Sequence, residues 1–155
     1  RVKEAEAHFQ VARDLEPGFL GARTTLAEIY LGVGRCREAQ RIYEEIAKDT
    51  ENFGGLSLPW LMAASLACQG ETARAEELLQ DPSPLQDIFP FGKLYALGFL
   101  GRVDEALDFA TALKEERSPW LPMIVTIRAT APLYSDPRMV DLCKELGVPV
   151  PDWAQ

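Results

Sequence analysis

The chain has 155 residues, of which 47% are hydrophobic and 26% are charged, a composition typical of globular domains and not of disordered or fibrous chains. Its 24 acidic and 16 basic residues give a net charge of −8. This charge argues against nucleic acid or an anionic membrane as the main partner, because both require clustered lysine and arginine. We find no targeting signal and no apolar stretch that predicts a membrane span.

The number and spacing of the cysteines indicate the redox state of the cellular compartment. Cys36, Cys68 and Cys143 form no CxxC pair, and their odd number predicts free thiols in a reducing compartment. We therefore expect a cytoplasmic protein. The sequence begins at Arg1 instead of Met, which favours a piece of a longer protein.

A phrase centred on glycine occurs three times along the chain. Gly34, Gly70 and Gly101 each follow a stretch in which apolar residues recur at three and four positions, the spacing of a helix. An alanine stands five positions after each glycine, namely Ala39, Ala75 and Ala106. Glycine permits the positive φ of a tight turn, and alanine lets the second helix approach the first closely. Each phrase predicts a helical hairpin.

These hairpins resemble the tetratricopeptide repeat, a unit of about 34 residues with the pattern W-x2-L-G-x2-Y, then A-x3-F, then P. The first complete copy matches the family at Leu26, Ala27, Tyr30, Gly34, Ala39 and Tyr43. The third copy departs from the pattern by placing Lys93 where the family has leucine. The resemblance implies an all-α fold in which antiparallel helix hairpins stack into a short right-handed solenoid.

In chain order, the resemblance divides the sequence into a half repeat, three repeats and a capping hairpin with its tail. Their ranges are 1–17, 20–53, 56–82, 87–115 and 118–149. In the half repeat, Ala5, Phe9, Ala12 and Pro17 match the family's second helix and closing proline. A bare solenoid end would expose an apolar patch. We therefore expect Val2 to Arg13 to be an interface, either with upstream sequence or with a second copy of the chain.

The segment after the third repeat lacks the repeat phrase, and caps and prolines predict its helices. Ser118 and Pro122 predict a helix that runs through Arg128 and stops before Pro132.

A last helix is predicted from Arg138 to Leu146. Asp136 and Pro137 give its start, and Gly147 gives its end. This closing phrase resembles the end of bacterial tetratricopeptide proteins that carry regulatory domains.

No convergent set of polar residues indicates an active site. His8 is the only histidine, and without a suitable serine or cysteine we interpret it as a solvent-facing side chain. One histidine and three scattered cysteines give no metal-ligand cluster. Adjacent glutamates such as Glu44 and Glu45 diverge around a helix and are interpreted as a solvated face. We expect no enzyme activity, no cofactor and no metal.

The resemblance implies a concave groove lined by the first helix of each repeat. Its groove positions carried over to this chain are Thr24, Glu28, Trp60, Ala64, Cys68, Phe91, Tyr95 and Phe99. The lysines and asparagines of carboxylate-binding grooves are absent there, and an aromatic groove suits an apolar or amphipathic helix. Alternatively, Phe91 and Tyr95 fill space beside the short second helix of the second repeat. For Trp60 we favour exposure, because Pro59 marks the start of its helix.

Two functions are consistent with these features. The first is a scaffold that binds a peptide or helix of a partner protein in the concave groove. The alternative is a ligand-sensing or dimerising regulatory domain of a larger signalling or transcription-regulating protein. A regulatory domain encoded upstream of Arg1 would favour the alternative.

Overall fold

The computed structural model describes residues 2–16, 20–50, 58–80 and 90–154, and these residues form helices and no strand. The α-helices are α1 (Val2–Leu15), α2 (Leu20–Gly32), α3 (Cys36–Thr50), α4 (Pro59–Cys68), α5 (Thr72–Leu79), α6 (Phe91–Phe99), α7 (Val103–Glu115), α8 (Leu121–Ile124) and α9 (Pro137–Leu146). Two 3₁₀ helices are Arg128–Ser135 and Asp152–Ala154. The predicted all-α fold is confirmed. The repeat boundaries predicted at positions 17, 53, 56, 82 and 87 lie outside the described residues.

None of the helices in these described ranges is both long enough and apolar enough to cross a membrane.

The three turn glycines adopt one conformation, with φ of 77° at Gly34, 81° at Gly70 and 72° at Gly101. In the first turn, the N–H of Gly34 donates to the carbonyl three residues earlier, at 3.1 Å, and the next N–H donates to Tyr30, at 2.8 Å. The same pair of bonds recurs at the other two turns. A side chain would be strained at this positive φ. The predicted equivalence of the three turns is confirmed.

The helices of each hairpin pack together, α2 with α3, α4 with α5, and α6 with α7. The alanine of each phrase lies on the buried side of the second helix, and Ala39, Ala75 and Ala106 are all 0% exposed. A methyl group is therefore the side chain that each of these contacts accommodates.

We expect Ala39→Leu or Ala75→Leu to lower the free energy of unfolding by about 1–3 kcal/mol, because the added methylenes have no space in a packed hairpin. Urea unfolding measures the change. Ala73→Leu is the matched control for the second variant, since Ala73 is an exposed alanine on the same helix. Equal stabilities of the Ala75→Leu and Ala73→Leu variants would show that the hairpin tolerates a larger side chain.

Helix α4 lies at the centre of the molecule and contacts α2, α3, α5 and α6. Gly92 lets α6 approach it closely, because a methyl group there would lie 2.5 Å from the backbone nitrogen of Leu61 and 2.6 Å from the carbonyl carbon of Trp60. On α4 itself, Ala63 and Ala64 are fully buried. Small residues therefore set the distance between neighbouring repeats.

The helix predicted from Ser118 through Arg128 is wrong. Helix α8 covers only Leu121–Ile124, and the chain becomes extended at Ile127, with φ −80° and ψ 132°. Residues Arg128–Ser135, which we call the inner segment, then form a 3₁₀ helix that contains Pro132. Proline cannot donate the backbone hydrogen bond that a continuing α-helix needs, whereas a short 3₁₀ turn tolerates it here.

The signals predicted for the last helix are confirmed. The Asp136 carboxylate accepts a hydrogen bond from the backbone N–H of Arg138 at 2.9 Å, and Pro137 occupies the first turn. Gly147 ends the helix with φ 69°. Both ends of α9 are therefore fixed by local chemistry.

The prediction of three free thiols is wrong. Cys36 and Cys68 form a disulfide with their Cα atoms 5.7 Å apart, while Cys143 is buried and free. Cys36 follows its turn glycine by two residues and Cys68 precedes the next turn glycine by two. Stacking of the hairpins therefore brings the two cysteines together. The argument for a reducing compartment loses its support.

Candidate functional site

The predicted groove positions lie on α2, α4 and α6, which are the first helices of the three hairpins. Contacts of α4 with both α2 and α6 bring these helices side by side. Four of the positions are buried, namely Glu28 (9% exposed), Trp60 (7%), Ala64 (0%) and Tyr95 (0%). Thr24, Cys68, Phe91 and Phe99 are half-buried. The helices that carry the predicted groove positions are therefore neighbours, but half of these side chains are buried.

The inner segment covers part of this face, since it contacts both α2 and α6. A methyl group at Gly32 would lie 2.8 Å from Cβ of Arg128 and 3.2 Å from the backbone nitrogen of Ala129. A methyl group at Gly98 would lie 3.2 Å from Cγ of Leu133. Ala129 and Leu133 are both 0% exposed. Because the two glycines have no side chain, the inner segment packs closely against α2 and α6 at these positions.

Trp60 packs within the repeats. Its ring meets the Phe109 ring edge-on, with centroids 6.4 Å apart, and the Lys93 Nζ lies 5.4 Å from its centroid. Its indole N–H is buried without a hydrogen-bond partner. The expected exposure of Trp60 is wrong, because the close approach of α6 at Gly92 covers the tryptophan at the start of α4.

Glu28 is a buried carboxyl for which the described residues supply no hydrogen-bond partner. Burial raises the pKa of Glu28 to about 7, because a low-dielectric environment disfavours the charged form. The hydroxyls of Tyr43 and Tyr95 are also buried and without hydrogen-bond partners. Burial raises the pKa of each tyrosine, and the negative charge of Glu28 raises it further. We call Glu28, Tyr43 and Tyr95 the buried acid cluster.

Glu28 and Tyr95 were predicted as groove positions, but the cluster that they form with Tyr43 was not predicted. One signal was available for Glu28, because the positions three and four residues before and after it carry no basic side chain. A helical glutamate without such a neighbour has no ion pair within its own helix. Tyr43 was assigned only to the family's aromatic position on the second helix.

A cleft with a volume of about 510 Å³ opens between α1, α2 and α3. Its apolar lining includes Phe9, Leu26 and Ile42. Charged side chains that line it are Glu6, Arg23, Glu38, Arg41, Glu45 and Asp49. Arg23 forms ion pairs with Glu45, at 3.6 Å, and with Asp49. This cleft was not predicted from the sequence, because its lining comes from three helices that no single periodic pattern connects.

Polar contacts hold α1 against the first hairpin. The hydroxyl of Tyr30 donates to the Glu6 carboxylate at 2.9 Å, and Arg35 pairs with the same carboxylate. The hydrogen bond from Arg35, followed by that from Tyr30, lowers the pKa of Glu6. On α1, Val11 is 57% exposed and Leu15 is 81% exposed. The expected interface at Val2 to Arg13 stays a prediction.

The candidate acid, base and metal-ligating residues do not converge in the described part of the chain. Within residues 2–16, 20–50, 58–80 and 90–154, no three histidine, cysteine or carboxylate side chains are grouped to hold a metal ion. His8 is exposed on α1, and Glu44 and Glu45 are exposed on α3. The described features are therefore a partly occupied groove and an open cleft.

Comparison with known proteins identifies the repeat. Residues 1–53 match the family model described as tetratricopeptide repeat, which covers α1, α2 and α3. The predicted resemblance is confirmed on this segment, and tetratricopeptide repeats generally mediate protein–protein interaction. No curated protein and no solved structure matches the chain.

Proposed function

We propose that this tetratricopeptide repeat chain is a non-catalytic scaffold that binds a peptide or helical segment of a partner protein in the concave groove. The family supports a protein partner in general terms. The net charge of −8 favours a protein partner over nucleic acid or an anionic membrane.

The observation that carries the proposal is the close packing of the inner segment against the groove helices α2 and α6. Gly32 and Gly98 present no side chain, so the backbone of the inner segment lies directly against α2 and the Leu133 side chain lies directly against α6. A floor of small residues with half-buried aromatic side chains such as Phe99 beside it suits the groove mode of peptide recognition.

Site-specific photo-crosslinking tests the proposal. A benzophenone side chain is placed in the full chain at Thr24 or at Phe99, both half-buried groove positions, and in a control chain at Glu76, which is exposed on α5. We expect both groove positions to capture the same proteins in cell extract, identified by mass spectrometry, and the Glu76 position not to capture them.

The proposal also requires the capture to depend on groove shape. Phe99→Ala, which removes a half-buried groove side chain, should reduce the yield at Thr24 in a chain that retains its helical circular dichroism. Identical captured proteins at groove and control positions, or a yield at Thr24 that Phe99→Ala leaves unchanged, would contradict a partner site in the groove.

A further inference from the structure

The inner segment is attached to the rest of the chain differently from the repeat helices. Extended residues flank it on both sides, Ile127 with φ −80° and ψ 132°, and Asp136 with φ −103° and ψ 127°. Conformational changes in proteins are commonly absorbed by a few residues at the ends of elements. Rotation at these two residues would move the inner segment without unwinding a repeat helix. The segment therefore lies in the groove like a peptide tethered at both ends.

The polar side chains of the inner segment bond outside the groove helices. The Thr130 hydroxyl donates to the carbonyl of Ile127 at 2.7 Å, and the Ser135 hydroxyl donates to the carbonyl of Pro132 at 3.0 Å. These two bonds do not depend on the groove, so they persist when the segment moves as a unit.

Tyr134 ties the inner segment to the C-terminal part of the chain. Its hydroxyl donates to the carbonyl of Val125 and lies 3.1 Å from Sγ of Cys143 on α9, and its ring packs edge-on against Trp153. Displacement of the segment therefore opens the contacts of Tyr134 as well as those with the groove.

The inner segment contacts the groove through its backbone and through apolar side-chain atoms. Cβ of Arg128 and the backbone of Arg128 and Ala129 lie against Gly32 on α2, and the Leu133 side chain lies against Gly98 on α6. The side chains of Ala129 and Leu133, four positions apart, are fully buried. A small residue followed four positions later by a leucine is thus the pattern that this part of the groove accepts.

Two members of the buried acid cluster, Glu28 and Tyr95, lie on the helix faces that carry these glycines. Glu28 precedes Gly32 by four positions and Tyr95 precedes Gly98 by three, so each pair shares one helix face. With the inner segment in place, the hydroxyls of Tyr43 and Tyr95 have no hydrogen-bond partner, and the described residues supply none for the Glu28 carboxyl. Unpaired buried polar groups are unfavourable. The inner segment is therefore an incomplete match for the groove.

We infer that the inner segment is a displaceable occupant, and that the partner replaces it with a segment that has a small residue, a leucine four positions later and a basic side chain that reaches Glu28. This inference rests on the proposed function, because it names the partner's chemistry at the same groove. The partner gains over the inner segment because its lysine or arginine pairs with a carboxyl that the chain itself leaves unpaired.

Hydrogen exchange on the unmodified chain provides the first test. We expect the amides of residues 128–135 to exchange through a local opening, about tenfold or more faster than the slowest amides of α2 and α6. Exchange of all three elements only through global unfolding would overturn the inference, since the inner segment would then be a permanent part of the core.

Peptide binding provides the second test. The probe is a fluorescein-labelled synthetic peptide with the sequence of residues 126–136, and its control has aspartate in place of the leucine. We expect the full chain carrying Leu133→Ala to bind the probe with a Kd about tenfold lower than that of the unmodified chain, because its own segment competes less well. If Leu133→Ala does not fold, Leu133→Val replaces it. A folded variant that binds the probe no better than the control peptide overturns the inference.

The basic side chain is tested with four further peptides that carry lysine at position 127, 130, 131 or 134 of the same sequence. We expect at least one to bind more tightly than the probe, and we expect this gain to disappear in the full chain carrying Glu28→Gln. A gain at no position, or a gain that survives Glu28→Gln, overturns the assignment of Glu28.

The outcomes distinguish this inference from the proposed function. Captured partners at Thr24 and Phe99, together with slow exchange of residues 128–135, would retain the scaffold and overturn the displaceable segment. Peptide binding without any groove-specific capture would retain the displaceable segment and overturn the claim that the groove binds a cellular partner.

Discussion

Trp60→Ala is expected to lower the free energy of unfolding by about 3–5 kcal/mol, the usual cost of removing a buried tryptophan or phenylalanine side chain. Trp60 is 7% exposed and packs edge-on against Phe109, so truncation leaves a cavity between α4 and α7. Chemical denaturation followed by circular dichroism measures the loss.

Two further variants establish the cause of this loss. Trp60→Phe retains an aromatic ring and should recover part of the stability. Met123→Ala truncates a side chain that is 46% exposed and should change the free energy of unfolding by much less. If Trp60→Ala is as stable as Met123→Ala, the tryptophan is not a packing residue and its role must be sought in partner binding.

Glu28→Gln is expected to stabilise the chain at pH 8 and to leave it almost unchanged at pH 4. The pKa of Glu28 is raised from its ordinary 4.5 to about 7 in the folded chain. Below pH 4.5 the carboxyl is protonated in both states. Between pH 4.5 and 7 the unfolded chain loses this proton first, so the stability of the folded chain falls by about 3 kcal/mol as the pH rises. Glutamine removes this loss.

Urea unfolding at a series of pH values measures the effect. The control is Glu77→Gln on α5, where the glutamate is exposed and its removal should leave the pH dependence of the parent chain intact. Parallel pH profiles for Glu28→Gln and the unmodified chain would mean that Glu28 ionises in the folded chain as freely as it does in the unfolded one.

The hairpins could be predicted from the sequence because local chemistry determines them. Gly34, Gly70 and Gly101 occupy a conformation with positive φ, which strongly favours glycine. Ala39 is fully buried, and its small size follows from the closeness of two helices joined by a tight turn. The start of α9 was readable for the same reason, because Asp136 caps the helix that it precedes.

The segment that covers the groove helices could not be predicted, because its position depends on contacts between distant parts of the chain. Gly32 accommodates Arg128 and the backbone of Ala129, and Gly98 accommodates Leu133, yet no periodic pattern relates these residues in the sequence. The incorrect prediction of a helix through Arg128 also hid these contacts, because a straight helix at this position would not lie across α2 and α6. The groove positions taken from the resemblance lie on α2, α4 and α6, but the resemblance could not indicate which of their side chains are covered.

The disulfide between Cys36 and Cys68 keeps the molecule in one covalent piece when the backbone is cut inside its loop. It encloses the second half of the first complete repeat and the first half of the next within one loop. A protease that cuts the backbone between positions 36 and 68 would therefore produce two fragments that remain covalently attached. A chain nicked in this way would release its N-terminal portion in denaturant only after treatment with a reducing agent.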